Sequence, residues 1–158
     1  MGKYKHLSNC RAFTLVELVA VLAVMSIILA VALPKLNGHL GNARLETAAL
    51  QMAGDIRYLQ QLAATTEEEM SNYYLLFSPT EHKYRLFKNH QSFKTVTLPP
   101  GVNLESTNFP NNRLNISVKG LPSGGGGTVV LSNKDTQKHK YVVVASITGR
   151  VRVSETPP

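Results

Sequence analysis

Between Phe13 and Leu33 the chain reads FTLVELVAVLAVMSIILAVAL, 21 residues with one charge, Glu17. As an α-helix this run rises about 31 Å, which matches the hydrocarbon thickness of a bilayer. It therefore predicts a transmembrane helix at 13–33. Lys3, Lys5 and Arg11 precede it. By the positive-inside rule they put the N-terminus in the cytoplasm and the bulk of the chain outside, anchored in the cytoplasmic (inner) membrane by one pass. Glu17 is the residue a plain anchor has no use for, because a carboxylate inside such a helix costs about 2.5–3.5 kcal/mol on insertion scales. No cation lies within the run. Its partner must be another chain, a new N-terminus or interfacial water.

The stretch RAFTLVELVAVLAVMSIILAVALPKL resembles the prepilin cleavage and methylation motif of type IV pilins and type II secretion pseudopilins. The matching features are a short basic leader, Phe13, Thr14-Leu15, Glu17 four residues after Phe13, the apolar run and Pro34. The resemblance implies a leader at 1–12, cleavage between Ala12 and Phe13, and N-methylation of Phe13. It also implies that Glu17 pairs with the Phe13 ammonium of a neighbouring subunit during assembly, which neutralises two charges costly in lipid. The family usually carries Gly before the cut, and Ala12 stands there, so processing is expected to be slower. Two other readings of this end exist. Ala30-Val31-Ala32 has the small-x-small form of an ordinary signal-peptidase site, but the apolar run is long for a signal peptide and carries a glutamate near its start. Lipidation of Cys10 lacks a preceding apolar stretch.

Pro34 has no N–H to donate and predicts a kink. Gly38 and Gly41 follow, so residues 34–41 read as a soft joint before an amphipathic stem at 34–70. Leu36, Leu40, Ala43, Ala48, Met52, Ile56, Leu59 and Ala63 recur mostly at three- and four-residue steps, one apolar stripe at helical period. Lys35, Arg44, Asp55 and Arg57 fall mainly off it. After Asn72 the pattern turns to strands, making 71–158 a β-rich head. Tyr73–Ser78 and Lys83–Lys88 read as a hairpin around Pro79-Thr80-Glu81-His82. Further strands are expected at Phe93–Leu98, Arg113–Lys119, Thr128–Ser132, Lys140–Ser146 and Ile147–Val153, with loops at Pro99-Pro100-Gly101 and Phe109–Asn112 and a flexible SGGGG connector at 123–127. The fold class is α+β, and the resemblance implies the pilin fold: a long N-terminal helix, half transmembrane and half amphipathic, packed on a C-terminal antiparallel β-sheet head.

The stretch LNISVKGLPSGGGGTVVLSNKDTQKHKYVVVASITGRVRV resembles the end of the GspH/FimT family of minor pseudopilins and minor pilins. Here Arg150 and Arg152 alternate with Val151 and Val153, so on a strand the two guanidinia share a face and the valines pack inward. Lys134, Lys138 and Lys140 lie near in sequence. In some members of the family the equivalent Gly-Arg-x-Arg tail binds DNA during natural transformation. That resemblance implies a DNA site at Gly149, Arg150, Arg152, Lys138 and Lys140, with weak, salt-sensitive, sequence-independent binding. The other reading is that the arginines guard a polar edge against edge-to-edge pairing.

Charge alone does not decide between these. The chain carries +7, and loss of the three leader cations leaves +4, a mild excess that a solvated surface explains. Cys10 is the sole cysteine, so no intrachain disulfide forms. His6, His39, His82, His90 and His139 are scattered without metal spacing, and no nucleophile–base set stands out. Glu67, Glu68 and Glu69 read as a solvated helix end. No Lys-Ser/Thr follows the glycines, which argues against a phosphate loop. The resemblance therefore implies a structural subunit without enzymatic activity or cofactor. It would assemble into a type II secretion pseudopilus or a type IV pilus. Its partners would be other pilins or pseudopilins, the prepilin peptidase/methyltransferase, the inner-membrane assembly platform, membrane lipid and, in the second reading, DNA.

Overall fold

The computed structural model describes residues 14–66 and 71–158, the side chains at 31–37 excepted. The backbone is helical over α1, Leu15–Thr65, and the chain divides between Asn37 and Gly38 into two compact units.

In the first unit, Thr14 caps the helix: its Oγ1 accepts the backbone N–H of Glu17 at 3.2 Å. Every described side chain from Leu15 to Ala30 is exposed. Among the described residues no helix is long and apolar enough to cross a membrane. The described apolar stretch is 15–30, against about 20 residues for a span. Phe13 and the side chains at 31–33, which complete the expected segment, lie outside the described residues, as do the side chain of Pro34 and Glu67–Glu69.

In the second unit the helix from Gly38 to Thr65 packs on two antiparallel sheets. The strands are β1 Tyr73–Ser78, β2 Lys83–Lys88, β3 Gln91–Thr97, β4 Val102–Thr107, β5 Arg113–Ile116, β6 Pro122–Ser123, β7 Gly127–Asn133, β8 His139–Val144 and β9 Val151–Ser154. One sheet has the order β3-β2-β1-β5-β6, the other β4-β7-β8-β9. Alternation does the sorting: Tyr73, Leu75 and Phe77 of β1 are buried, as are Tyr84 and Leu86 of β2. Valines and leucines of β7, β8 and β9 do the same from the second sheet, and helix and sheets share one core cluster.

The helix face differs from the expected stripe. Leu45, Ala48, Ala49, Met52, Ala53, Ile56, Leu59 and Ala63 are buried, whereas Leu40 is 47 % exposed and Ala43 is exposed. Paired small residues widen the stripe to two rows, and alanine lets the sheets come close. Asp55, expected off the stripe, is buried within it. Its Oδ2 accepts from the Tyr84 hydroxyl at 2.8 Å and its Oδ1 from Lys94 Nζ at 2.6 Å, so one carboxylate ties the helix to β2 and β3. Gly41, read as part of a joint, is a packing residue: a Cβ there would sit 2.6 Å from Asn133 Nδ2. The neighbouring Asn42 Oδ1 accepts from Asn133 Nδ2 and Thr136 Oγ1, pinning the helix to the β7–β8 turn.

β1 and β2 occupy the residues the pattern marked out. The last predicted strand starts late. Residues 145–150 form a turn, closed by Gly149 N–H to Ala145 O (3.1 Å) and Ala145 N–H to Arg150 O (3.0 Å), and β9 begins at Val151. β4 and β6 were not anticipated.

Candidate functional site

The C-terminal arginines sit where β9, an edge strand, meets the helix. The β9 partners on β8 are Tyr141↔Ser154, Val142↔Val153, Val143↔Arg152 and Val144↔Val151. Val151 is buried and Val153 packs against the core, so Arg152 points to the other face, as the two-residue period requires. Arg150 lies in the turn just before the strand, and both arginines are exposed. They line one shallow groove together with Arg57 and Lys119. The helix also covers part of the strand's open edge. Arg57 Nη2 donates to the Val151 carbonyl at 2.8 Å, and Gln60 Nε2 donates to the Gly149 carbonyl at 2.7 Å.

Gly149 has a geometric reason to be glycine. Its φ is +66°, and a Cβ would meet Gln60 Nε2 at 3.0 Å and Pro122 Cδ at 3.2 Å. It shapes the turn that presents Arg150 and is itself buried.

Of the three lysines, Lys140 lines the same groove with its charge engaged by Glu46 and Glu155, which also line it, and Lys134 and Lys138 lie elsewhere. Lys140 is ion-paired to Glu46 of the helix and to Glu155 of the tail, the latter at 2.8 Å. Hydrogen bonds to Glu155 and then Glu46 raise its pKa, and Lys140 in turn lowers that of Glu155. Lys140 is therefore a clasp between helix and tail, with little positive charge left over. Lys138 is exposed but precedes β8, whereas Arg150 follows its far end, a separation of about 20 Å for a six-residue strand. Lys134 is exposed in the same distant turn. Arg57 and Lys119 take their place. Both are far from Arg150 in the chain, so only the fold signals them.

At the other end of the chain, Ala12 and Phe13 lie outside the described residues. Glu17 is described and exposed, and its backbone N–H is the one capped by Thr14. The Thr-x-x-Glu spacing that produces this cap is readable in the sequence as a helix start. Among the described residues no group of His, Cys, Asp and Glu is arranged to hold a metal ion.

Residues 7–33 match the family described as the prokaryotic N-terminal methylation motif. No curated protein matches the chain in sequence. In fold, the chain is similar to the minor pseudopilin EpsH from the type 2 secretion system of Vibrio cholerae. The TM-score is 0.59 at 13 % identity, over 70 % of this chain and 96 % of that one. It is also similar to the type IV minor pilin FimU of Pseudomonas aeruginosa, with a TM-score of 0.57 at 10 % identity, over 72 % of this chain and 90 % of that one. The chain thus combines an N-terminal methylation motif at residues 7–33 with a pilin-like fold, a helix packed on antiparallel sheets.

Proposed function

We propose that this chain is a minor pilin or pseudopilin, a structural subunit held in the cytoplasmic membrane and then assembled with other subunits into a pseudopilus or pilus. The observation that carries the reading is Glu17. It stands exposed in the capped first turn of a helix whose described neighbours to residue 30 are exposed and almost all apolar, within a methylation-motif match. A helix apolar on all sides buries itself in lipid or among other helices. A carboxylate there needs a cation, and cleavage after Ala12 would create one at the Phe13 amine, which a neighbouring subunit would present to Glu17. The prepilin peptidase/methyltransferase and an inner-membrane platform are the partners this route requires. Mass spectrometry and N-terminal sequencing of the protein from a producing cell are expected to give a chain that starts at Phe13 and carries one methyl group. A start at Leu33 would overturn the reading.

A second reading adds DNA capture, favoured by the convergence of Arg150, Arg152, Arg57 and Lys119 on one groove. With so few cations, binding would be weak and would fall as salt rises. A mobility-shift titration at low salt is expected to show a shift that Arg150→Ala/Arg152→Ala abolishes. Absence of any shift at roughly tens of micromolar protein removes this reading.

A further inference from the structure

The outer face of the five-stranded sheet carries a second pair of arginines. Leu76 of β1 is the direct cross-strand neighbour of Arg85 on β2 and of Arg113 on β5. The three side chains therefore stand in one row on one face, opposite the core residues Leu75, Tyr84, Leu86 and Leu114. Two strand spacings separate the arginine Cα atoms, about 10 Å. One row away, Tyr74 stacks on Phe87, with ring centroids 4.7 Å apart, and the Arg113 guanidinium lies 3.6 Å over the Tyr74 ring. The Nε atoms of Arg85 and Arg113 are buried and have no hydrogen-bond partner among the described residues. Glu81, an exposed acid, interacts with Arg85. It is hydrogen-bonded to Lys83 at 2.7 Å and feels Arg85 only through space.

We propose that this face, centred on Arg85, Leu76 and Arg113, is a docking surface for an acidic segment of a different protein subunit, with Asp or Glu carboxylates received by the two guanidinia. The Arg113 guanidinium, stacked on Tyr74, is held in one plane, and a planar guanidinium takes a carboxylate through two parallel hydrogen bonds. The flanking surface offers the half-buried Leu76 and Phe87, an aliphatic and an aromatic side chain of the kind found in protein interfaces. Charge excludes the same face of a second copy, because arginine would meet arginine. Nucleic acid fits less well. Tyr74 is 7 % exposed and lies between Phe87 and Arg113, so its ring is not open for a base to stack on.

The inference rests on the subunit reading for the source of such a partner. It is tested on the full chain in detergent micelles by ¹⁵N NMR of the arginine Nε–H signals, assigned through Arg85→Lys and Arg113→Lys. The probe is a short Glu/Leu peptide, compared with its Gln/Leu counterpart, with a single-stranded oligonucleotide of equal charge and with sodium phosphate. The Glu/Leu peptide is expected to move both signals saturably and the Gln/Leu peptide neither. Peptide affinity is expected to fall about tenfold or more in Arg85→Lys/Arg113→Lys, because an ammonium cannot make the paired bond. Arg150→Lys/Arg152→Lys is expected to leave it unchanged. The proposal is overturned if the Glu/Leu peptide moves neither signal, if phosphate moves them as readily, or if the oligonucleotide does so at lower concentration. A chain that begins at Phe13 but gives one of those results fails this proposal alone, and the subunit reading stands.

Discussion

Replacing Asp55 with alanine is expected to destabilise the 38–158 unit by about 3 kcal/mol, among the largest effects of any single side chain in the head. Asp55 is 7 % exposed and Tyr84 is wholly buried, so the substitution strands the tyrosine hydroxyl in the core without an acceptor. An unsatisfied buried donor costs about 1–3 kcal/mol. The tyrosine cannot escape by ionising, because burial, and then the bond to Asp55, push its pKa well above the ordinary value. Loss of the Lys94 pair adds less than a fully buried pair would, since the Lys94 side chain is 40 % exposed and regains water. Truncation also leaves a cavity beside Met52 and Ile56. Urea denaturation followed by circular dichroism reads the cost. Tyr84→Phe alone is expected to cost about 1 kcal/mol, and the double variant less than the sum of the singles, because the phenylalanine removes the stranded donor. An Asp55→Ala variant within about 0.5 kcal/mol of the parent would show that the carboxylate is solvated in solution.

Asp55 also marks where the sequence stops being legible. The helix, the α+β class and the hairpin of β1 and β2 follow from local pattern, since apolar period and turn residues lie within a few positions of one another. The partners of Asp55 lie 29 and 39 residues away, and nothing local tells a buried aspartate from a solvated one. β4 was hidden for a related reason. Val102 and Leu104 point inward, but the register slips between Leu104 and Ser106, and Ser106, where the alternation calls for a third inward apolar residue, is polar and exposed. The basic groove was half legible. Arg150 and Arg152 are two apart and declare a shared face, whereas Arg57 and Lys119 reach it only through the helix and the loop before β6. Lys140 lines the groove, but its pairing carries no local signal, because its acids, Glu46 and Glu155, come from opposite ends of the head. Arg85 and Arg113 carried no signal at all, because only β1 running between them makes them neighbours.

The run SGGGG reads as one flexible connector, and three glycine-to-alanine variants are expected to separate that reading from the structure. Gly124 and Gly125 fit the reading in part: a Cβ at either would meet nothing within 4 Å, although both have φ near +100°. Gly126 does not. A Cβ there would run into the carbonyl oxygen of Val144 and lie 2.5 Å from the backbone nitrogen of Ser146. Those are backbone atoms at the end of β8, so no side-chain rotation relieves the clash, and the turn that carries Arg150 must move. Gly126→Ala is expected to cost about 3 kcal/mol, at the upper end for overpacking. Gly124→Ala is expected to cost about 1–2 kcal/mol, from its backbone angle alone. Gly54→Ala is the opposite case. This glycine is in the helix, exposed, with open space around the new methyl group and no positive φ, so alanine is expected to stabilise by about 0.5–1 kcal/mol. Thermal melts of the three variants order them Gly54→Ala above parent, then Gly124→Ala, then Gly126→Ala. A flexible connector throughout would instead leave Gly124→Ala and Gly126→Ala indistinguishable. Because Gly126 touches the start of the 145–150 turn, its variant is also expected to lose whatever binding Arg150 and Arg152 support, while Gly124→Ala keeps it. That pairing links the close backbone approach at Gly126 to the presentation of the two arginines.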